Sequence, residues 1–205
     1  MRRSDMTFQN VVDFLPEGKK GVAEIRHMEI GEDLAKFSMI REIVTGGRER
    51  SVKPGRYVQL LVGRRLMMSD TQMERETNSE FVERAHGDVF IAGLGIGMVL
   101  PPLLKKPNVD SIFVAEKYQD VIDLVAPAFK GAIKSKRLVI RRTDVFKMRL
   151  PKTRFSTIYF DIWPNIHADN LKEMASLCDR FKPCLKRGGW MDSWMRKELK
   201  QRSHW

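Results

Sequence analysis

The 205-residue sequence contains only two cysteines and no long hydrophobic run. Cys178 and Cys184 have no histidines at metal-ligand spacing, so we expect reduced core thiols and neither a disulfide nor a metal site. No apolar stretch approaches the roughly 20 residues that cross a bilayer. The basic residues in the first ten positions are not followed by an apolar segment, so no signal peptide is predicted. We therefore expect a cytoplasmic protein without membrane association.

The composition excludes a disordered or repetitive chain. Hydrophobic residues make up 42% and charged residues 31%, which is typical of a soluble globular protein. There are no internal repeats and no low-complexity tracts. A chain of this length suits one domain with a small appendage and can bury a substantial core.

The most informative stretch is residues 88–100, DVFIAGLGIGMVL. Its short apolar run ends in glycine and predicts a buried strand. Gly93, Gly95 and Gly97 predict a sharp turn whose bare backbone a ligand can approach. The apolar residues that follow predict a helix whose free N–H groups and positive dipole end face that ligand. Together these features predict a nucleotide-type cleft at the carboxyl end of a sheet. The alternative is an ordinary tight strand-to-helix turn.

The glycine spacing argues against two common nucleotide sites. A dinucleotide fingerprint needs a small residue at position 98, which is Met98, and a P-loop needs a following Gly-Lys-Ser/Thr, which is absent. The pattern G-x-G-x-G after a strand resembles the first motif of the Rossmann-like, class I methyltransferases that use S-adenosylmethionine. The resemblance implies this cofactor, contacted by the four turn residues Gly93, Leu94, Gly95 and Gly97.

The chain divides into three predicted segments. Residues 1–20 are predicted to be a flexible arm, and residues 21–87 a β appendage with a connecting helix. In the appendage we predict a strand at Gly21–Ile30, a second strand or short helix at Asp33–Ile43, and a hairpin made by Tyr57–Val62 and Leu66–Met68. The polar segment 69–87 is predicted to end as a helix at Gly87, and its Asp70, Glu74 and Asn78 to cap the substrate pocket.

Residues 88–205 alternate between strand and helix patterns, which predicts an α/β, Rossmann-like, mostly parallel sheet with right-handed crossovers. The predicted strands are 88–92, Ser111–Ala115, Arg137–Arg141, Phe155–Phe160 and one near Trp190-Met191. The predicted helices are Gly97 to about Lys106, Gln119 to about Phe129, Ala168 to about Phe181 and Trp194–Arg202. Class I methyltransferases usually continue further past the fifth strand, so we expect a fold shortened at the C-terminus.

Acidic residues follow the second and third predicted strands. Glu116 lies 19 residues after Gly97, the usual distance for a carboxylate that binds the ribose hydroxyls, and Lys117 is its neighbour. A solvent-facing acid is the alternative. For Asp144, the resemblance implies a hydrogen bond from the adenine amino group, with the Val145 N–H donating to a ring nitrogen. An Asx cap in a turn would also explain Asp144.

The fourth strand ends in Asp161-Ile162-Trp163-Pro164, where this class meets the reactive end of the donor and the acceptor. We predict Asp161 and Trp163 as catalytic residues. A carboxylate can hold an amine or act as a general base, and an indole can stack on a base or shield a sulfonium cation. Pro164, Asn165 and His167 are expected to orient the acceptor. Trp163-Pro164 would also suit a rigid packing turn, and a loop histidine needs no function.

From about Tyr57 to Trp194 the order of elements resembles the spermidine-synthase-like branch. Three positions differ from that branch: Ile96 replaces an aspartate, Met67 replaces a glutamine, and Asp161 is followed by Ile-Trp-Pro. These differences and the basic surplus argue against aminopropyl transfer. The Asp-x-Trp-Pro turn with a nearby histidine is similar to that of the tRNA guanine-N7 methyltransferases.

The excess positive charge lies in the C-terminal part. Residues 128–205 hold 19 of the 37 lysines and arginines and 7 of the 26 acids, whereas residues 1–127 hold 18 and 19. Such a surface attracts nucleic acid. An equally good explanation of the charge is a solvent-facing surface whose lysines and arginines only keep the protein soluble. We therefore expect a methyltransferase with a nucleic acid or other anionic acceptor. Aminopropyl transfer and a non-catalytic binding module are the alternatives, and a homodimer is left open.

Overall fold

The computed structural model describes residues 8–44, 51–165, 167, 169–197 and 199. These residues form an antiparallel sheet of four strands and a parallel sheet of five strands, which share one hydrophobic cluster. Within this part of the chain, no helix has the length and apolar character needed to cross a bilayer.

The antiparallel sheet precedes the parallel sheet in the chain. It consists of β1 (Gly18–Lys20), β2 (Ala23–Ile30), β3 (Gly55–Val62) and β4 (Arg65–Ser69), in that order across the sheet. The predicted strand at 21–30 and the predicted hairpin are therefore confirmed, and the hairpin belongs to a larger sheet. The segment after β2 is a helix, α1 (Glu32–Val44), and the polar segment contains the helix α2 (Gln72–Arg84).

The prediction of a flexible arm is wrong for residues 8–20. Val11 and Leu15 are completely buried and Phe8 is nearly so, and all three belong to the main hydrophobic cluster. Their spacing of three and four residues would have indicated one apolar face on a helical turn, and Val11–Asp13 does form a 3-10 helix. Residues 1–7 of the predicted arm lie outside the described residues.

The parallel sheet confirms the predicted Rossmann-like class. Its strands are β5 (Gly87–Ala92), β6 (Val109–Glu116), β7 (Leu138–Arg142), β8 (Phe155–Phe160) and β9 (Leu185–Ser193), arranged β7-β6-β5-β8-β9. All neighbours are parallel. The chain moves outward from β5 to β7 on one side and then returns to β8 on the other. The carboxyl ends of β5 and β8 therefore flank the switch point at which such sheets bind ligands.

Four helices connect the parallel strands. They are α3 (Leu100–Lys105), α4 (Gln119–Val125), α5 (Lys130–Lys134) and α6 (Asn170–Phe181). The fifth strand, β9, is several residues longer than predicted, because the Gly188-Gly189 pair lies inside the strand and does not end the preceding loop. Residues 198 and 200–202 of the predicted final helix lie outside the described residues.

A hydrophobic cluster covers each face of the parallel sheet. On one face, residues such as Ile91 pack with Val58 of the antiparallel sheet. On the other face lies α6, whose buried residues Met174, Leu177, Cys178 and Phe181 recur at helical spacing. Cys178 and Cys184 are buried and free in this second cluster. The two sheets therefore form one packed body, and the antiparallel sheet lies above the switch point.

Candidate cofactor and acceptor site

The glycine turn between β5 and α3 can be made only by glycine. Gly93, Gly95 and Gly97 have φ angles of 100°, 52° and 70°, which L side chains rarely adopt. A Cβ atom on Gly93 would lie 2.0 Å from the carbonyl oxygen of Asp161, and one on Gly95 would lie 2.4 Å from Sδ of Met68. The predicted sharp turn is therefore confirmed. Its backbone touches both the end of β8 and the hairpin of the antiparallel sheet.

The helix after this turn begins three residues later than predicted. It starts at Leu100, where Pro101 and Pro102 occupy its first turn and fix the backbone there. The N–H of Gly97 donates to the carbonyl of Leu94, and the N–H of Leu100 donates to the carbonyl of Gly97. The prediction that these N–H groups are free for a ligand is wrong.

Glu116 at the end of β6 contacts the glycine turn directly. Its Oε2 atom accepts a hydrogen bond of 2.9 Å from the N–H of Leu94, and its Oε1 atom accepts one of 2.8 Å from the N–H of Tyr118. Only 7% of the residue is exposed, which excludes the solvent-facing alternative. Burial raises the pKa of this carboxyl group, and the backbone N–H bonds oppose that shift.

A cavity of about 220 Å³ opens above the glycine turn. Ten of the sixteen predicted site residues line it: Gly93, Gly95, Glu116, Lys117, Asp144, Val145, Glu74, Asp161, Trp163 and Pro164. The sheet order explains this meeting, because β6, β5 and β8 are neighbours and their carboxyl ends face the same side. The hairpin of β3 and β4 closes the cavity from above with Leu60, Val62, Met67 and Met68.

Six predicted site residues do not line the cavity. Leu94 is buried behind the turn, and Gly97 packs against the ring of Phe129. Asn165 and His167 are exposed, and the His167 ring pairs with Asp169 at 3.1 Å. The remaining two, Asp70 and Asn78, are completely buried on the far side of the cavity wall.

Asp70 joins the helix α2 to the antiparallel sheet. Its Oδ1 atom accepts a hydrogen bond of 2.7 Å from the N–H of Val58, and its Oδ2 atom pairs with the guanidinium of Arg75 at 3.0 Å. The amide of Asn78 donates to the backbone carbonyl of Glu74 at 3.0 Å. The contacts of Asp70 therefore attach the start of α2, which carries Glu74, to the antiparallel sheet, whereas the bond made by Asn78 lies within α2.

The wall formed after β7 is held by several polar contacts. The Oδ1 atom of Asp144 accepts a hydrogen bond of 2.9 Å from the N–H of Phe146, as the Asx-cap alternative predicts. Its Oδ2 atom lies 3.8 Å from Nζ of Lys117. Behind this wall, Arg180 on α6 donates to the carbonyl oxygens of Val145 and Met148. The adenine-binding role of Asp144 stays a prediction.

Besides Glu116, two further carboxyl groups with raised pKa values face the cavity. Burial raises the pKa of Asp161 to about 7. Burial, and then the nearby charge of Asp161, raise the pKa of Glu74 to about 8. Asp161 is fixed by its backbone N–H, which donates to the carbonyl of Ala92 at 2.8 Å. Near neutral pH this pair can therefore hold or release a proton inside the cavity.

Trp163 forms a wall of the cavity. Only 7% of the residue is exposed, and its indole N–H donates to Oε2 of Glu173 at 2.7 Å. Glu173 lies on α6 and also lines the cavity, but the sequence analysis missed it. No local motif marks Glu173, because only the packing of α6 against the sheet brings it to Trp163.

The lining of the cavity is acidic. Among its described residues are five carboxyl groups and one cation, Lys117. The carboxyl groups belong to Glu74, Glu116, Asp144, Asp161 and Glu173. The net charge of +11 therefore arises outside the cavity. This finding removes the argument against aminopropyl transfer that rested on the basic surplus.

No family model and no curated protein matches the sequence. Solved structures of similar fold include the spermidine synthase of Thermotoga maritima, which is 17% identical with a TM-score of 0.49, over 87% of this chain and 55% of that one. A second is an S-adenosylmethionine-dependent methyltransferase from Clostridium acetobutylicum, 16% identical with a TM-score of 0.39, over 57% and 45%. A third is the N-methyltransferase NodS of Bradyrhizobium japonicum in complex with S-adenosyl-L-homocysteine, 16% identical with a TM-score of 0.44, over 60% and 61%.

The three structures are one spermidine synthase and two methyltransferases. This chain spans about half of their length, from 45% to 61% in the three cases. The fold class follows from the strand order of the chain itself. Successive strands are added on one side of β5 as far as β7, and the chain then returns to add β8 on the other side of β5.

Proposed function

We propose that this chain is an S-adenosylmethionine-dependent transferase that alkylates a nitrogen of its acceptor, with methyl transfer as the leading reaction. One observation carries the proposal. Glu116, bonded to the glycine turn, lines the same cavity as the carboxyl pair Glu74 and Asp161. A site for an adenosine and a site for an amine are therefore adjacent.

The glycine turn and Glu116 fit the adenosine part of the donor. A Cβ atom on Gly93 or Gly95 would collide with its surroundings, so the backbone is left bare where a nucleoside can approach it. The carboxylate of Glu116 is held by backbone N–H groups of the turn and of its own strand end, and a carboxylate offers two acceptor oxygens, which suits the ribose diol. In this proposal Asp144 accepts a hydrogen bond from the adenine amino group. When bound, S-adenosylmethionine supplies an electrophilic carbon attached to a cationic sulfur.

The acceptor side of the cavity suits an amine. An ammonium in the cavity favours the ionised forms of Glu74 and Asp161, whereas a phosphate or carboxylate opposes their ionisation. A nitrogen can attack only after it has lost its proton, and ionised Asp161, with a pKa of about 7, accepts that proton near neutral pH. Trp163, held by Glu173, keeps water away from one side. The cavity would also promote the reaction by aligning the donor carbon with the acceptor nitrogen.

The acidic lining also supports the alternative, aminopropyl transfer. S-adenosylmethionine carries a carboxylate on its amino-acid tail, and its decarboxylated form does not. Lys117 is the one cation among the described lining residues, and it already lies 3.8 Å from Asp144. A donor without the carboxylate would meet less repulsion from Glu74 and Asp161.

The charge of the cavity limits which part of a nucleic-acid acceptor could enter it. A phosphate group would be repelled by those carboxyl groups of the lining that are ionised, so we expect only a base to enter. The phosphates of such an acceptor would have to remain outside the cavity.

Calorimetric titration with S-adenosylmethionine and with its decarboxylated form tests the proposal. We expect saturable binding of at least one donor and weaker binding to the Glu116→Gln variant. A preference for the decarboxylated form would favour aminopropyl transfer. A folded chain that binds neither donor would contradict the proposal and favour the non-catalytic module. Incubation of the preferred donor with small amines, followed by mass spectrometry, then identifies the transferred group.

A further inference from the structure

One segment of the chain concentrates positive charge. Residues 130–154 contain ten lysines and arginines and a single acid, Asp144. All ten basic side chains are exposed. In the described part of the chain, none of the ten forms an ion pair with a carboxylate, whereas cations elsewhere, such as Arg75 and Lys186, do. We call this segment the basic edge.

The fold places the basic edge along one side of the molecule. It comprises α5, the outermost strand β7 and the connection 143–154, which contains turns and no helix. Because side chains alternate along a strand, Arg141 and Arg142 point to opposite faces of this outer strand. The guanidinium of Arg141 lies 5.7 Å from the ring of Phe113 on one face. The positive charge therefore surrounds the edge of the sheet.

The middle of the basic edge borders the cavity. Thr143, Asp144, Val145 and Phe146 follow β7 directly and line the cavity. The ring of Phe146 is 42% exposed and is followed by Lys147. An exposed aromatic ring among cations can stack on a nucleobase while the cations bind phosphates.

We propose that the basic edge binds the phosphate backbone of a nucleic acid. Half of its cations are arginines, whose guanidinium groups bind phosphate oxygens through two hydrogen bonds. An anionic membrane is a poorer partner, because the exposed apolar side chains here are single residues and α5 is too short to present an apolar face. This proposal goes beyond the proposed function and does not depend on it, since it concerns binding outside the cavity.

Fluorescence anisotropy with a labelled single-stranded RNA of about 20 nucleotides tests the proposal without any donor present. The test variant is Arg141→Gln, Arg142→Gln and Arg149→Gln combined, and none of these residues lines the cavity. The matched control removes three exposed cations from the antiparallel sheet: Lys19→Gln, Lys20→Gln and Arg65→Gln. Both variants lose the same charge, so only the location differs.

We expect the affinity of the wild type to fall steeply with salt, because each neutralised phosphate contributes about −0.7 to the slope of log K against log salt. The basic-edge variant should bind at least about ten-fold more weakly, with a slope smaller by about 2. The control variant should change the affinity less than about two-fold. Thermal unfolding within about 3 °C of the wild type shows that the exposed substitutions leave the fold intact.

Three results would overturn the proposal. One is equal loss of RNA binding in both variants, which would mean nonspecific attraction to net charge. Another is the absence of salt-dependent RNA binding by the wild type. The third is binding to phosphatidylglycerol vesicles that the basic-edge variant loses while RNA is not bound, because the partner would then be a membrane. Failure of donor binding in the cavity would contradict the proposed function alone.

Discussion

The carboxylate of Glu116 and the backbone N–H of Leu94 are joined by a hydrogen bond of 2.9 Å. This bond links the end of β6 to the glycine turn after β5. It therefore positions the carboxylate against the surface on which we propose that an adenosine lies.

The Glu116→Gln variant should weaken donor binding at least about ten-fold. The amide replaces one acceptor oxygen with a donor, so either the N–H of Leu94 or that of Tyr118 faces another donor. Losing a hydrogen bond to a charged group costs about 1.5–3 kcal/mol. Calorimetry with the better of the two donors measures the loss. Asp110→Asn, at an exposed carboxylate on the same strand, is the control and should bind normally. Normal binding by Glu116→Gln would argue against the ribose role.

The Asp161→Asn variant should abolish turnover while leaving donor binding within about three-fold, because general-base catalysis contributes roughly 10²–10⁴-fold. The amide keeps the size of the side chain but cannot accept the proton. Product formation measured by mass spectrometry, together with donor calorimetry, separates the two effects. Asp169→Asn, at an exposed acid eight residues later, is the control. If donor binding were lost as well, Asp161 would belong to the donor site.

Protein stability should decrease as the pH rises through about 7 to 8. Burial raises the pKa of Asp161 to about 7 and that of Glu74 to about 8, so the folded protein binds more protons than the unfolded chain above about pH 4.5. The stabilisation is complete below the unfolded pKa and is lost as these groups ionise. The unfolding temperature measured from about pH 5 to 9 should decline less in Glu74→Gln than in the wild type. Glu83→Gln, at an exposed position on the same helix, should follow the wild type. Parallel curves for wild type and Glu74→Gln would contradict the assignment.

Alanine should be tolerated far better at Gly63 than at Gly93. Both glycines have positive φ angles, 58° and 100°, so both substitutions impose backbone strain of about 1–2 kcal/mol. At Gly63 a Cβ atom meets nothing within 4 Å, whereas at Gly93 it would lie 2.0 Å from the backbone oxygen of Asp161. Gly93→Ala should therefore reduce the free energy of unfolding by at least about 2 kcal/mol more than Gly63→Ala. Urea unfolding measures the free energy of unfolding of both variants. Equal losses of stability would mean that the backbone at Asp161 shifts at little cost to make room for the Cβ atom.

Local patterns in the sequence were sufficient for the parallel strands and for the centre of the site. The alternation of apolar and polar segments predicted all five parallel strands, and the glycine turn with Glu116 was predicted from spacing alone. These features depend on neighbours in the chain, where periodicity and backbone conformation leave a direct record. The start of α3 was missed because Pro101 and Pro102 favour the first turn of a helix over its preceding loop.

Residues brought together from distant segments could not be predicted in this way. Glu173 reaches Trp163 only through the packing of α6, and Met68 closes the cavity only because the hairpin lies above the switch point. Asp70 looked like a pocket residue because it is a polar residue at a helix start. In the structure Asp70 is fully buried, and a buried carboxylate needs hydrogen-bond or ion-pair partners. The Val58 N–H and the guanidinium of Arg75 are these partners, so Asp70 does not face the cavity.

The distribution of charge was determined partly by the sequence and partly by the tertiary structure. By itself, the sequence determined a net charge of +11 and its concentration after residue 128. Only the tertiary structure decided that the cavity is acidic and the outer edge basic. The physical reason is that parallel strands bring their carboxyl ends together. Glu116, Asp144 and Asp161 therefore line one cavity, although they are up to 28 residues apart from one to the next in the sequence. The ten lysines and arginines of residues 130–154 are left on α5, on the outermost strand β7 and on the connection after it, where they are exposed.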